Sequence, residues 1–204
     1  MTHSRRCHGF ALPTLMVMLT LASIATLLAL RNLWVNDMLL NTDADQFRTQ
    51  HKAEAVLPVA LADILGTTPT PRHTAGNAIQ THAFFPNTLA DYAVLRQRLN
   101  PGPCNAGICA PNTLDASATK ASYWKAQTAT AMVVSATDTP YGDNTAWYWV
   151  EIFPQANTSS FVYRITTLAN GVMPGSSTVI QTIWARNSLT ANTGQWHSWH
   201  VLHD

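Results

Sequence analysis

The sequence predicts an α+β protein: a long N-terminal helix, transmembrane in its first half, packed on an antiparallel β-sheet head. Three observations carry that prediction. Phe10–Leu30 is an apolar run of about twenty residues without a charge. A helical pattern of apolar and charged residues continues straight out of it. The last third of the chain consists of short segments rich in β-branched and aromatic residues, separated by turn clusters. The length, 204 residues, suits one domain with an appendage.

Composition narrows the function classes. Charged residues make up 11% and hydrophobic residues 47%, whereas soluble domains carry roughly 25% charge. Sparse charge excludes a disordered tail, a coiled coil and a nucleic-acid binder driven by a basic surface. Twelve Lys and Arg against eleven Asp and Glu leave a formal +1, so no long-range attraction to an acidic partner follows.

Residues 1–9 are a short basic segment with Arg5, Arg6 and, at its end, Gly9. Residues 10–30 span roughly 30 Å of hydrocarbon as a helix. Arg5 and Arg6 stand unopposed, while Arg31 is soon followed by Asp37, Asp43 and Asp45. The positive-inside bias therefore places the N-terminus in the cytoplasm and everything after about residue 31 outside. A secretory signal peptide has a shorter apolar region and a small-residue cleavage site after it, neither of which is present before Arg31. A plain single-pass anchor accounts for the apolar run but gives no role to Gly9 or to the helical pattern beyond the membrane.

The segment from Met1 to Gly9, followed by Phe10-Ala-Leu-Pro-Thr-Leu, resembles the leader of a type IV prepilin. The resemblance implies that a prepilin peptidase cuts between Gly9 and Phe10 on the cytoplasmic side and methylates the new amine of Phe10. Lacking a Cβ, Gly9 gives a protease close access to the backbone. Most pilins carry Glu at the fifth mature position, where it is thought to neutralise a neighbour's N-terminal amine. Here that position is Thr14, after Pro13. A hydroxyl cannot supply the counter-charge, which points away from a bulk repeating subunit and toward a minor or tip-associated one.

Residues 31–65 read as the periplasmic continuation of the helix. Leu40, Ala44, Phe47, His51, Ala55, Ala62 and Leu65 recur mostly at helical steps, and Asp43, Asp45, Arg48, Lys52, Glu54 and Asp63 fall elsewhere. The first set is expected to face the head and the second to face water. One helix from Phe10 to Leu65 would be about 80 Å long. Pro58 is expected to kink or locally break it. Gly66 and the prolines that follow end it.

Residues 66–122 form a connecting region rich in Pro and Gly, with one short helix expected around Leu89–Leu99. Loops of this kind are where binding residues tend to sit, but nothing in this one names a ligand. Cys104 and Cys109 lie close together on the side expected to be oxidising and are expected to be bonded, contributing around 2 kcal/mol. Cys7 would be an odd thiol, and cleavage after Gly9 removes it. A zinc reading of Cys104 and Cys109 lacks two further ligands at matching spacing.

Residues 123–204 are read as the antiparallel sheet, with strands at Ala131–Ser135, Ala146–Phe153, Ser160–Leu168 and Thr178–Ala185. Trp147, Trp149, Glu151 and Phe153 share one face of their strand; Tyr148, Val150 and Ile152 share the other. The second set is assigned to the helix, and the Trp face is left to loops or solvent. The strands around Tyr148-Trp-Val-Glu-Ile, Tyr163-Arg-Ile-Thr and Thr178-Val-Ile-Gln-Thr-Ile-Trp resemble the closing segment of PilX-type minor pilins. The resemblance implies a type IV pilin-like fold and a non-enzymatic part in pilus assembly. The partners implied are other minor pilins, the major pilin and the inner membrane, with later residence in the pilus. A type II secretion pseudopilin has the same leader and helix, and a membrane-anchored periplasmic binding or adhesion domain is the alternative from another class.

No catalytic, cofactor-binding or metal residues are assigned. Gly-x-Ser-x-Gly, His-Glu-x-x-His and phosphate-cradling Gly loops are absent from the sequence, and no carboxylate pair stands out. His197, His200 and His203 could share a helical face, but a poorly ordered tail is the expected state of this segment. Arg96, Arg98, Lys120 and Lys125 do not amount to a nucleic-acid footprint, and no small-molecule substrate is expected.

Overall fold

The structure, a computed structural model, describes residues 11–69, 71–73, 83–100, 102–134, 145–155, 160–187 and 193–204. The leader 1–9, Gly9, Phe10 and Cys7 lie outside the described residues. The chain divides into two units, with the boundary between Ala44 and Asp45.

A single helix, α1, runs from Ala11 to Leu65. It contains no Gly, and Pro13 stands in its first turn, where a missing N–H costs nothing. Pro58 lies inside the helix without ending it, contrary to the expected local break; its ring is exposed, away from the core. The C-terminus closes with Gly66 at φ 69°. Gly66 N–H donates to Asp63 O at 3.1 Å and Thr67 N–H to Ala62 O at 2.9 Å, the paired bonds that satisfy the last carbonyls of a helix.

In the first unit, the helix from Leu12 to Leu40 exposes its large apolar side chains all round. The hydroxyls among them are satisfied within the helix. Thr20 Oγ1 donates to Val17 O at 2.9 Å, Ser23 Oγ to Leu19 O at 2.7 Å and Thr26 Oγ1 to Ser23 O at 2.8 Å. Each hydroxyl thus needs no partner outside the helix, which is compatible with an apolar surrounding.

The second unit opens with the rest of α1, and here the expected buried face is corrected. Asp45, Thr49, Lys52, Ala53, Val56, Ala60, Asp63 and Ile64 are buried, whereas Leu40, Phe47 and His51 are exposed and Ala44, Ala55, Ala62 and Leu65 only partly covered. The true stripe is rotated by about one residue, or 100°. It was hidden because three of its members, Asp45, Lys52 and Asp63, are charged, and Asp45 and Asp63 find partners far along the chain.

Helix α2 (Leu89–Leu99) forms where expected. Its start is a capping box: Asp91 N–H donates to Thr88 Oγ1 at 3.1 Å and Thr88 N–H to Asp91 Oδ2 at 3.0 Å. Tyr92, Leu95 and Leu99, at helical spacing, are its buried residues. The onset of strand at residue 123 is corrected: α3 (Ala121–Ala126) crosses it, after a 3-10 turn at Ala116–Thr119.

Among the described residues, seven strands make one sheet: β1 (Cys104–Asn105), β2 (Ile108–Cys109), β3 (Met132–Val134), β4 (Ala146–Pro154), β5 (Phe161–Asn170), β6 (Ser177–Arg186) and β7 (Gly194–Leu202). From β4 to β6 it is an antiparallel meander, as expected, and β7 extends the meander by one strand that was not expected. The other edge of β4 is shared end to end. β3 pairs antiparallel with Ala146–Tyr148, and β2 pairs parallel with Val150 and Glu151.

The C-terminal segment is neither tail nor helix. As β7 it pairs with β6 along nearly its whole length, with an irregularity between Ile183 and Trp184. Extended spacing of about 3.3 Å per residue replaces the helical spacing that would have grouped His197, His200 and His203. Trp196 and Trp199, opposite Trp184 and Thr182, remain 47% exposed.

The two faces of β4 divide as the alternation predicts. Tyr148, Val150 and Ile152 join Val56, Ala60 and Ile64 of α1 in one core, with Tyr163, Ile165, Ile180 and Trp184. On the opposite face Trp149 packs with Trp124 of α3, their ring centroids 5.0 Å apart, together with Leu168 and Val179. The Trp face is therefore covered, by α3 and the 3-10 turn before it.

Candidate functional site

Two surfaces concern function: the apolar wall of α1 and the polar anchors inside the head. The wall overruns the uncharged run. Past Arg31 the side chains of Leu33, Trp34, Met38, Leu39 and Leu40 are exposed, Trp34 to 68%, and Phe47 is 65% exposed in the second unit. Among the described residues α1 is the one helix long and apolar enough to cross a membrane.

Near its C-terminal end α1 is tied to the sheet by a buried polar cluster. Asp63 on α1 accepts from Arg72 through Nε at 3.2 Å and through Nη2, and from Tyr148 Oη on β4 at 2.7 Å. Arg72 Nη1 reaches on to Ala106 O at 2.7 Å, in the turn closed by the disulfide. Burial pushes the Tyr148 hydroxyl far up, and the Asp63 charge adds to that shift. The Arg72 guanidinium is raised, since the bond to Asp63 and its charge outweigh burial. Tyr148 is thus a neutral donor and Arg72 a permanent cation.

A second anchor holds the β5–β6 turn. Asp45 accepts the main-chain N–H groups of Val172 at 2.9 Å and Met173 at 3.1 Å. The Val172 bond is the largest cause of a carboxylate pKa held below the ordinary value. A third polar pair crosses the Trp face: Arg164 donates to both oxygens of Glu151, at 2.5 and 2.7 Å. Burial nevertheless dominates and raises the Glu151 pKa, with Arg164 opposing it.

Cys104 and Cys109 are joined in a disulfide across the ends of the β1–β2 hairpin. Gly107, at φ 77° in its turn, is packed so closely that a Cβ would overlap Met132 and the carbonyl of Tyr148. Gly9 and Phe10, the other sequence-predicted site residues, are outside the described residues. No group of three His, Cys, Asp or Glu able to hold a metal occurs among the described residues.

Arg72, Asp45 and Asp63 were missed as structural determinants. Arg72 offered one signal, an isolated cation between Pro71 and the uncharged stretch that follows. Asp45 and Asp63 read as solvated charges, because their partners lie 127 and 85 residues away at Val172 and Tyr148.

Comparison with protein-family models, with curated proteins and with solved structures finds no match to this chain.

Proposed function

We propose that this chain is a minor pilin of the PilX type, a non-enzymatic subunit that helps to initiate a type IV pilus together with other minor pilins and the major pilin. The observation that carries the reading is the length of the exposed apolar wall. A bilayer needs about 20 residues, yet exposed apolar side chains continue from Leu12 to Leu40 and again at Phe47. A lone anchor would leave Leu33, Trp34 and Met38–Leu40 at or beyond the headgroups. A bundle of like helices buries them.

Ala22, Ala25 and Ala29 along α1 allow a second helix to approach closely. Side-by-side helices exchange lipid for protein contacts, and the heads then template the first filament turn. Thr14 in place of Glu suits a starting subunit, which need not neutralise the amine of a neighbour already in the filament. It also suits the tip pseudopilin of a type II secretion system, which lacks that Glu. The precursor would sit in the bacterial inner membrane with its head in the periplasm, and the processed form in the pilus at the cell surface.

Co-expression with a prepilin peptidase, followed by intact-mass measurement, tests the reading. Loss of residues 1–9 and gain of one methyl on Phe10 is the expected result; an unchanged precursor overturns it. Co-purification with pilus minor pilins, rather than with secretion pseudopilins, separates the two filament systems.

A further inference from the structure

Two clefts of opposite charge lie side by side on the head, around the disulfide hairpin. One, of about 660 Å³, is bounded by α2 and the loop after it, with Arg96, Gln97, Asn100 and Asn112 in its wall. No carboxylate is among its lining residues. The other, of about 370 Å³, runs past the Cys104–Cys109 bond and is lined by Asp115, Tyr123, Trp124 and Glu151; Glu151 is already paired with Arg164, so Asp115 carries the net negative charge of this cleft. Both are lined by Pro103, Pro111 and Asn112, so one opens beside the other.

We propose that the paired clefts form one groove for an extended peptide segment of a partner protein, with an acidic side chain at Arg96 and a basic side chain between Asp115 and Tyr123. Charge complementarity selects this occupant. A purely cationic ligand leaves Arg96 unused, and a purely anionic one meets Asp115.

The stretch between the charged ends fits a peptide backbone. Gln97, Asn100 and Asn112 each carry both donors and acceptors, matching alternating N–H and C=O groups. Pro103 and Pro111 give rigid walls that bring no competing N–H. The volumes lie in the range of sites that enclose small ligands. Asp115 is exposed and already fixed in place, since Ser117 donates to it from its N–H at 2.8 Å and from its hydroxyl. Those bonds hold its pKa below the ordinary value, so it stays charged. The inference needs only the head and stands whether or not the chain enters a filament.

The test uses the full chain in uncharged maltoside micelles and three labelled peptides: Ac-Arg-Gly-Gly-Glu-NH2, its reverse Ac-Glu-Gly-Gly-Arg-NH2, and the control Ac-Gln-Gly-Gly-Gln-NH2. One charged peptide should bind at least tenfold more tightly than the control. Asp115→Asn, which keeps the capping oxygen, and Arg96→Gln should each weaken it fivefold or more, with unchanged circular dichroism. Equal binding of all three peptides overturns the proposal. So does loss in only one variant, which would make the clefts independent, or equal affinity for free arginine, which would make the ligand a single amino acid.

Discussion

Asp45 on α1 and Val172 in the β5–β6 turn are joined by a carboxylate-to-backbone hydrogen bond of 2.9 Å that spans 127 residues of sequence. The same carboxylate takes Met173 N–H, and a Cβ on Gly171 would overlap Asp45, Thr49 and Ser176. The helix and the turn therefore fit only when the carboxylate is present and position 171 is bare.

Asp45→Ala should lower the unfolding free energy of the head by about 2 kcal/mol, the worth of hydrogen bonds to a charged group. Denaturant titration of the full chain in micelles measures it. The pH dependence has a definite sign. The folded pKa lies below the ordinary value of 3.8, so the contribution is complete above that value and is lost as pH falls through the folded one. The stability gap between wild type and Asp45→Asn should therefore close below about pH 4.

Arg72→Met leaves Asp63 buried with Tyr148 as its remaining partner among those described, and should cost about 3–5 kcal/mol. Replacing the whole charged pair, Asp63→Leu with Arg72→Met, should cost less than either single change, because no ion is then stranded. A double-mutant cycle from denaturant midpoints checks this, and simple additivity would refute a coupled cluster.

Glu151 should show the opposite pH sign to Asp45. Its folded pKa is raised above the ordinary value of 4.5, chiefly by burial. Its contribution is thus present at and below that value and is lost as pH rises through the folded pKa. The stability difference between wild type and Glu151→Gln should fall on going from pH 4 to about pH 7. Thermal unfolding across that interval, with Asp45→Asn run alongside, distinguishes the two carboxylates.

These anchors mark the limit of what could be read from the chain. The end of α1 at Gly66, the helix Leu89–Leu99 and the division of Trp149 from Val150 were legible because each depends on residues within a few positions. The buried face of α1 was not. Leu40 and Phe47 look like core but are exposed, while Asp45 and Asp63 look solvated and are buried by partners met only after folding. β7 was obscured by composition: Gln195-Trp-His-Ser-Trp-His lacks the β-branched residues that mark a strand, and β6 holds it through backbone pairing. The surplus apolar wall was visible in sequence as apolar residues, but only the exposures showed that these side chains are uncovered.

Gly9→Val should block removal of the leader, since a Cβ at the junction obstructs the backbone a peptidase must hold. Intact mass should show the precursor with all nine leader residues. Normal trimming of the variant would make Gly9 incidental.

The disulfide should matter beyond its own loop. Closing a short loop contributes about 2 kcal/mol on the chain-entropy model. However, the turn it holds also accepts Arg72 at Ala106 O, donates from Gly107 N–H to Thr130 O at 2.8 Å and accepts Val150 N–H at Gly107 O at 2.7 Å. Three separate parts of the head therefore converge on two turn residues. Replacing Cys104 and Cys109 together by Ser should raise amide exchange at Val150 and Gly107 tenfold or more. Exchange at the end of α1 near Ile64 should rise with it, because Arg72 loses one of the groups that orient it toward Asp63. Exchange at Thr182 and Ser198, on β6 and β7, which do not pair with the hairpin, should change much less. Hydrogen exchange read by mass spectrometry gives all three regions in one experiment. A uniform rise across the head would show instead that the bond sets only global stability.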